Sequence, residues 1–326
     1  MVDILIVGAG PTGLACALEA QKEGLSYVVI EKGSIVDSIR RFPVNMTFFS
    51  TPELLELDNI PFTTLGTRSN RSETVRYYQQ VAHRRNLQIK PHTLVTSVEK
   101  VDDTFKVTTD KGVWESATVV IATGYFDNPN MLGIKGEDLP FVHKYYTEPF
   151  LYAGAKVVVV GGKNSACETA LDLWRHGAHV TIVHRKDTIN EKVKYWVRPD
   201  LINRLEARQI TGYFGYIVRE IRNGEIDIQH TVTNAIITLP TDFVIPHVGY
   251  RPDIHLLQQC GIEVQDDTLI PTYNPNTFET NIPGLFVAGS VMCGCKTWNI
   301  FIENSREHAK PIIHEINNVL LRKKAQ

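Results

Sequence analysis

An apolar strand that runs into a glycine turn and then into a helix occurs twice in this chain. It appears first as Asp3-Ile4-Leu5-Ile6-Val7-Gly8-Ala9-Gly10-Pro11-Thr12-Gly13 and returns, altered, as Val157-Val158-Val159-Val160-Gly161-Gly162-Lys163-Asn164-Ser165-Ala166. After the first copy, Leu14 to Ala20 has helical periodicity, Gly24 caps it, and Tyr27-Val28-Val29-Ile30-Glu31 reads as the next strand. After the second, a helix through Thr169 to His176 ends at Gly177, and His179-Val180-Thr181-Ile182-Val183 follows as a strand. Two βαβ units predict an α/β protein with two doubly wound, Rossmann-like dinucleotide-binding domains, each on a parallel sheet. A length of 326 residues accommodates both.

The rest of the chain fits around these units. Thr93 to Val101, Thr104 to Thr109 and Val113 to Ile121 alternate with period two, as a small antiparallel excursion does, and Val119-Val120-Ile121-Ala122-Thr123-Gly124 closes the first half. Arg222-Asn223-Gly224-Glu225 carries the Asn-Gly hairpin signal, and Thr233-Asn234 marks a second turn. A strand at Leu285 to Gly289 precedes a helix expected over Asn299 to Leu321, with a fraying basic end over 320–326. The second domain is thus inserted in the first, with expected boundaries at 1–125, 126–247 and 248–326.

The first turn has the full dinucleotide fingerprint. Gly8 makes the tight turn, Gly10 lets backbone approach a pyrophosphate, Gly13 lets helix pack on strand, and Pro11 and Thr12 open the helix whose N-terminus faces the anion. Glu31, at the end of the second strand, is placed to accept hydrogen bonds from ribose hydroxyls. In the second turn Lys163 replaces the middle glycine and Ala166 the last; the lysine either adds charge to a pyrophosphate or points to solvent, and the motif does not decide. No acid ends the second strand there. The sequence reads His184-Arg185-Lys186, and cations suit a ribose 2′-phosphate where a carboxylate suits a 2′-hydroxyl. One site is expected to take a dinucleotide with a free ribose and the other NADPH.

Composition removes other classes. Lys and Arg number 34 against 36 Asp and Glu, so no excess of positive charge calls for nucleic acid. No apolar run of about 18 residues spans a bilayer, the N-terminal segment lacks a basic region before its apolar stretch, and the chain is expected to be cytoplasmic. Five cysteines without an export signal are expected to be reduced thiols. Cys16 and Cys167 read as packing residues and Cys260 as a helix-end residue, and the scattered histidines predict no metal site. A lone His308 on the last helix could approach a flavin or substrate as a proton donor, but reads first as part of a solvated helix face.

The order of the two glycine turns, Ala122-Thr123-Gly124 between them, and Ile282-Pro283-Gly284-Leu285-Phe286-Val287-Ala288-Gly289 after them resembles the low-molecular-weight thioredoxin-reductase-like FAD/NADPH flavoproteins. Within that group Asn45-Met46-Thr47-Phe48-Phe49-Ser50-Thr51, Gly162-Lys163-Asn164-Ser165-Ala166 and Phe301-Ile302-Glu303-Asn304 resemble the bacillithiol disulfide reductase (YpdA-like) family. The resemblance implies a homodimer with an FAD domain built from both ends of the chain and a central NADPH domain. Electrons would pass from NADPH through FAD to a low-molecular-weight disulfide, most directly bacillithiol disulfide. It implies that Gly8, Gly10, Gly13, Glu31 and Lys32 hold the FAD adenosine and pyrophosphate. Thr47 would lie near the flavin, with Ala122, Thr123, Gly124, Gly289 and Ser290 flanking it. Gly161, Gly162, Lys163, Asn164, Ser165, His184, Arg185 and Lys186 would serve NADPH.

Two positions depart from the pattern. The family carries a cysteine, proposed to be redox-active, where this chain has Thr12, and the superfamily's flavin-contacting aspartate is here Ser290. No Cys-x-x-Cys is present. Cys293-Gly294-Cys295 remains as the candidate thiol pair, with a helix N-terminus beginning near Thr297 to Asn299 expected to lower a thiol pKa. The alternatives are a ferredoxin or flavodoxin:NADP⁺ reductase of thioredoxin-reductase type, for which no basic docking face is evident, and a flavin monooxygenase, whose Phe-x-Gly-x-x-x-His box is missing before Lys156.

Overall fold

The computed structural model describes residues 1–324. They form two compact units, the first from Met1–Arg41, Ser50–Asn128 and Tyr250 onward, the second from Phe42–Phe49 and Pro129–Gly249.

The first unit opens with β1 (Val2–Val7), α1 (Pro11–Lys22) and β2 (Tyr27–Ile30), then the short helices α2 (Asp37–Arg40) and α3 (Pro52–Leu55) and the longer α4 (Arg71–Arg84). Strands β3 (Ile89–Lys90), β4 (Val95–Val101), β5 (Thr104–Thr109) and β6 (Gly112–Ile121) complete its first half. The sheet order is β3-β2-β1-β6-β5-β4. The alternating stretch Val113 to Ile121 and the strand that begins at Val119 turn out to be one strand that changes partner. Residues 112–116 of β6 pair antiparallel with β5, while its end lies parallel to β1. Burial follows the pairing: the first half is mostly exposed and residues 116–121 are buried without a break, because the parallel part is covered on both faces. Leu5, Val7, Val28, Ile30, Val119 and Ile121 form its core.

The second unit carries β7 (Lys156–Val160), α5 (Asn164–Arg175), β8 (His179–His184), α6 (Arg198–Glu206) and β9 (Thr211–Phe214), then β10 (Tyr216–Arg222), β11 (Glu225–His230), β12 (Ile236–Pro240) and β13 (Phe243–Pro246). Strands β13-β7-β8-β9 make a parallel sheet and β10-β11-β12 an antiparallel one. Both expected turns are there: Arg222 pairs with Glu225 across the Asn-Gly hairpin, and Asn234 takes the left-handed conformation between β11 and β12. The apolar run of β7 is buried from Val157 to Val160, with Val159 fully enclosed.

Back in the first unit come α7 (Ile254–Gln259), β14 (Leu285–Val287), which pairs parallel with β6, then α8 (Ile302–Ser305) and α9 (Ala309–Lys324). The single helix expected over Asn299 to Leu321 is therefore broken. The Phe301 N–H donates to Asn304 Oδ1 at its real start (2.8 Å), a 3₁₀ turn covers Arg306–His308, and Pro311 in the first turn of α9 has no N–H to continue an earlier helix. The basic end does not fray over 320–324. Helix α9 runs through Lys324, and Lys323 Nζ donates to the Ala117 carbonyl (2.9 Å); Ala325 and Gln326 lie outside the described residues. No helix among them is long and apolar enough to cross a membrane.

Candidate functional site

The first glycine turn is closed on two sides and open on the third. Gly8 has φ +107°, and a Cβ there would lie 2.6 Å from the Ala122 carbonyl oxygen. A Cβ on Gly13 would run into the Gly8 carbonyl. One on Gly10 would meet nothing within 4 Å. Gly10 is also the N-cap of α1 and supplies no side-chain cap, and Pro11 follows as the first helical residue. Helix α4 differs: Asn70 and Glu73 satisfy its start with a complete capping box. The first-turn N–H groups of α1 are thus offered beside open space, the arrangement that binds an anion.

Glu31 locks this turn. Its carboxylate accepts from the Ala9 N–H (2.7 Å) and the Gly33 N–H (2.7 Å). Burial pushes its pKa up, against those two bonds, which favour the charged form. Each carboxylate oxygen keeps a second lone pair, so the acceptor role toward a ribose remains available. Lys32 Nζ pairs with Asp127 (2.7 Å), which Arg41 also contacts.

The other first-unit residues of the expected set are gathered against the turn. Gly289, with φ +77°, faces Thr12, whose Oγ1 would be 2.8 Å from a Cβ there, and Ser290 Oγ lies 3.3 Å from the same point on Gly124. Thr12 shares a buried hydrogen bond with Ser305 (Oγ1 to Oγ, 2.8 Å). Thr123 Oγ1 is buried and has no hydrogen-bond partner among the described residues, so a group with polar atoms at that point would complete it. A flavin dinucleotide fits these residues: open backbone at Gly10, an uncapped helix start, and an unpaired hydroxyl on Thr123. Thr47 belongs to the second unit, where its carbonyl accepts from Lys194 Nζ (3.0 Å).

The same neighbourhood holds a residue that sequence reasoning misplaced. His308 does not lie on a solvated face. Its Nδ1 accepts from the Gly289 N–H (3.2 Å), its ring stacks on Phe278 with centroids 4.5 Å apart, and burial lowers its pKa to about 4. The imidazole is neutral, with its proton on Nε2. The signal available in the sequence was the three-residue spacing from Ser305, which puts both on one helical face.

The second turn uses other means. Gly161 has φ +141°, and a Cβ there would lie 2.5 Å from the His247 carbonyl oxygen; one on Gly162 would sit 2.5 Å from the His184 ring. Lys163 is the exposed N-cap of α5 and makes no side-chain cap, leaving the first-turn N–H groups available as in α1. Asn164 Oδ1 accepts from the Lys194 N–H (2.8 Å), and Ser165 is exposed. His184 is held below its usual pKa by burial and then by Arg185 and Lys186, both exposed at the end of β8. An uncapped helix start beside two exposed cations fits a nicotinamide dinucleotide carrying a 2′-phosphate.

The thiols do not meet the expectation of an activated pair. Cys293 is buried in a 3₁₀ turn, its thiol donates to the Ser290 carbonyl (2.9 Å), and burial pushes its pKa up to about 12. The expected helix N-terminus is not beside it, since the next helix begins at Ile302. Cys295 is exposed, with its N–H on the Thr268 carbonyl (2.8 Å). Cys16, Cys167 and Cys260 are buried and likewise pushed up to about 12. Among the described residues no group of three or more His, Cys, Asp or Glu could hold a metal ion.

Residues 5–289 match the family model described as pyridine nucleotide-disulphide oxidoreductase. The chain is 37% identical to bacilliredoxin reductase Bdr of Bacillus subtilis (strain 168) over 96% of each chain. Two solved structures are similar throughout, bacillithiol disulfide reductase Bdr (YpdA) of Staphylococcus aureus and that of Bacillus cereus. They are 33% and 35% identical, each with a TM-score of 0.93, covering 97% of this chain and 98% of theirs. With its two glycine turns and these whole-length relatives, the chain belongs to the pyridine nucleotide-disulphide oxidoreductase family, alongside the bacillithiol disulfide reductases.

Proposed function

We propose that this protein is an NADPH-dependent flavoprotein that reduces a low-molecular-weight disulfide, and that the disulfide is that of bacillithiol. The observation that carries the cofactor assignment is the contrast between the two turns. Both leave a helix start uncapped, one beside a buried carboxylate at Glu31 and the other beside two exposed cations at Arg185 and Lys186. The first suits the free ribose of FAD and the second the 2′-phosphate of NADPH. The names of the two solved relatives supply the disulfide.

In this reading Gly8, Gly10, Pro11, Thr12 and Gly13 carry the FAD pyrophosphate on the α1 amides, with Glu31 and Lys32 at the adenosine end. Ala122, Thr123, Gly124, Gly289 and Ser290 flank the flavin, and Thr123 Oγ1 finds its missing partner there. Gly161, Gly162, Lys163, Asn164 and Ser165 carry the NADPH pyrophosphate. The bound groups supply passage of a hydride from nicotinamide to flavin and of the electron pair to the disulfide; with one further proton from solvent, one disulfide becomes two thiols. Cys293 is 3% exposed, its thiol donates to the Ser290 carbonyl, and burial pushes its pKa up to about 12, all of which disfavour the thiolate that an attack requires. With threonine at position 12 as well, the electrons go to the substrate disulfide without a buried protein thiol between. In this reading the enzyme works in the cytosol as a homodimer, and light scattering of the purified protein checks the dimer.

The test is NADPH consumption without oxygen, with bacillithiol disulfide, other small disulfides, ferredoxin and flavodoxin offered separately. Turnover with bacillithiol disulfide at the highest kcat/KM is expected. Turnover with ferredoxin or flavodoxin and with no disulfide would replace this reading by an NADP⁺ reductase.

A further inference from the structure

Residues 42–49 leave the first unit at Arg41, rejoin it at Ser50, and pack with the second unit in between. Four contacts hold this strap. The Val44 N–H donates to the Thr147 carbonyl (2.7 Å), Asn45 Nδ2 donates to Asp172 Oδ1 (3.0 Å), Phe49 stacks on Trp196 (5.8 Å, 16°), and Lys194 Nζ donates to the Thr47 carbonyl (3.0 Å).

Lys194 differs from the other three anchors because it is a charge taken out of water. It is 6% exposed, and a lysine is almost never that buried unless paired. Besides Thr47, its ammonium donates to Glu168 Oε1 (2.7 Å) and lies 5.7 Å from the Trp196 ring centroid. Two of its three donors thus meet oxygen acceptors, and the ring adds a cation–π contact. The main chain of the same residue is tied elsewhere: its N–H donates to Asn164 Oδ1 (2.8 Å), in the second glycine turn. Glu168 stands four residues beyond Asn164 on the same face of α5. One residue therefore grips the glycine turn with its backbone and the strap with its side chain.

We propose that Lys194 is a positioning residue for hydride transfer: it clamps the strap, Thr47 included, to the turn that carries the nicotinamide nucleotide, making the two one rigid frame. The inference rests on the second unit being the NADPH unit. A frame of this kind acts on the rate of transfer from bound nucleotide and not on how tightly the nucleotide is held, because the Asn164 contact is made by the backbone and survives a change of side chain.

Replacing Lys194 alone would leave the half-buried Glu168 uncompensated, so the variant of choice is Glu168→Gln/Lys194→Met, which removes both charges. Two measurements are made on the FAD-loaded protein. Amide hydrogen exchange over 44–49 is expected to quicken about tenfold, with exchange in Thr104–Thr109 of β5 unchanged. In stopped flow without oxygen, bleaching of the flavin at saturating NADPH is expected to slow about tenfold, with the half-saturating NADPH concentration within about threefold of the unmutated value.

Unchanged exchange in the strap overturns the clamp. A loosened strap with an unchanged bleaching rate, or a raised half-saturation with an unchanged rate, overturns the positioning role. Should the double variant not fold, Glu168→Gln/Lys194→Gln, which also removes both charges but keeps polar side chains, carries the same comparison. An unmutated protein whose flavin NADPH does not bleach would overturn the cofactor reading instead, and strap exchange would still decide the clamp.

Discussion

In the first glycine turn a carboxylate closes the loop, and in the second an imidazole does. Glu31 fixes the backbone by accepting from the Ala9 and Gly33 N–H groups, so the turn is held by two charge-assisted hydrogen bonds. His184 fixes its turn by filling the space over Gly162, and burial, then the charges of Arg185 and Lys186, hold its pKa below the usual value. The same strand, turn and helix can thus be locked by polarity or by packing. The choice of lock sets what each site presents, an acceptor in one case and cations in the other.

The largest expected effect breaks the first turn. Gly13→Ala drives a Cβ into the Gly8 carbonyl and should destabilise the unit by about 2–5 kcal/mol, with loss of FAD, read as a fall in Tm and a colourless protein. Gly10→Ala meets nothing and should leave Tm of the flavin-free protein within roughly 1 kcal/mol of stability while weakening FAD binding. Equal effects of the two would remove the distinction between a glycine that packs and one that admits a ligand. In the second turn, Arg185→Ala/Lys186→Ala should reduce the preference for NADPH over NADH on the order of 10²-fold in kcat/KM and leave FAD content unchanged.

A smaller effect compares a half-buried histidine from each unit. Burial lowers both His247 and His308 from the usual 6.5 to about 4. The unfolded chain takes up these protons below pH 6.5 and the folded chain only near 4. Stability is therefore lost as pH falls from 6.5 to 4, by on the order of 2 kcal/mol for each site once partial exposure is allowed for. His308→Phe should flatten that slope in unfolding measured across this range, and His247→Phe should do so independently. The smallest effect belongs to the thiols. Cys293→Ser should change disulfide reduction by less than about twofold, since its thiol is buried and protonated.

The sheets were readable because strands covered on both faces must be apolar without a break, as Val157 to Val160 and Val119 to Ile121 are. The glycine turns and Glu31 were readable for a related reason, since backbone approach leaves few residue choices. The rest depended on distant neighbours. Sequence patterns gave the strap 42–49 to 1–125, whereas its anchors Lys194, Asp172 and Thr147 all come from the second unit. His308 was buried by Phe278, a loop residue with no periodicity to announce it. Helix α9 begins late because Pro311 cannot continue an earlier turn. Cys293 was taken to sit beside a helix start that the structure places at Ile302.

The central claim is that the two turns hold an electron path from NADPH to a disulfide. It is tested most directly by adding one equivalent of NADPH to the FAD-loaded protein without oxygen, then bacillithiol disulfide, while following the flavin band near 450 nm. The account predicts bleaching on the first addition, full return of the band on the second, and two thiols formed per NADPH. A band that bleaches and stays bleached with the disulfide, yet returns with oxidised ferredoxin, would contradict it.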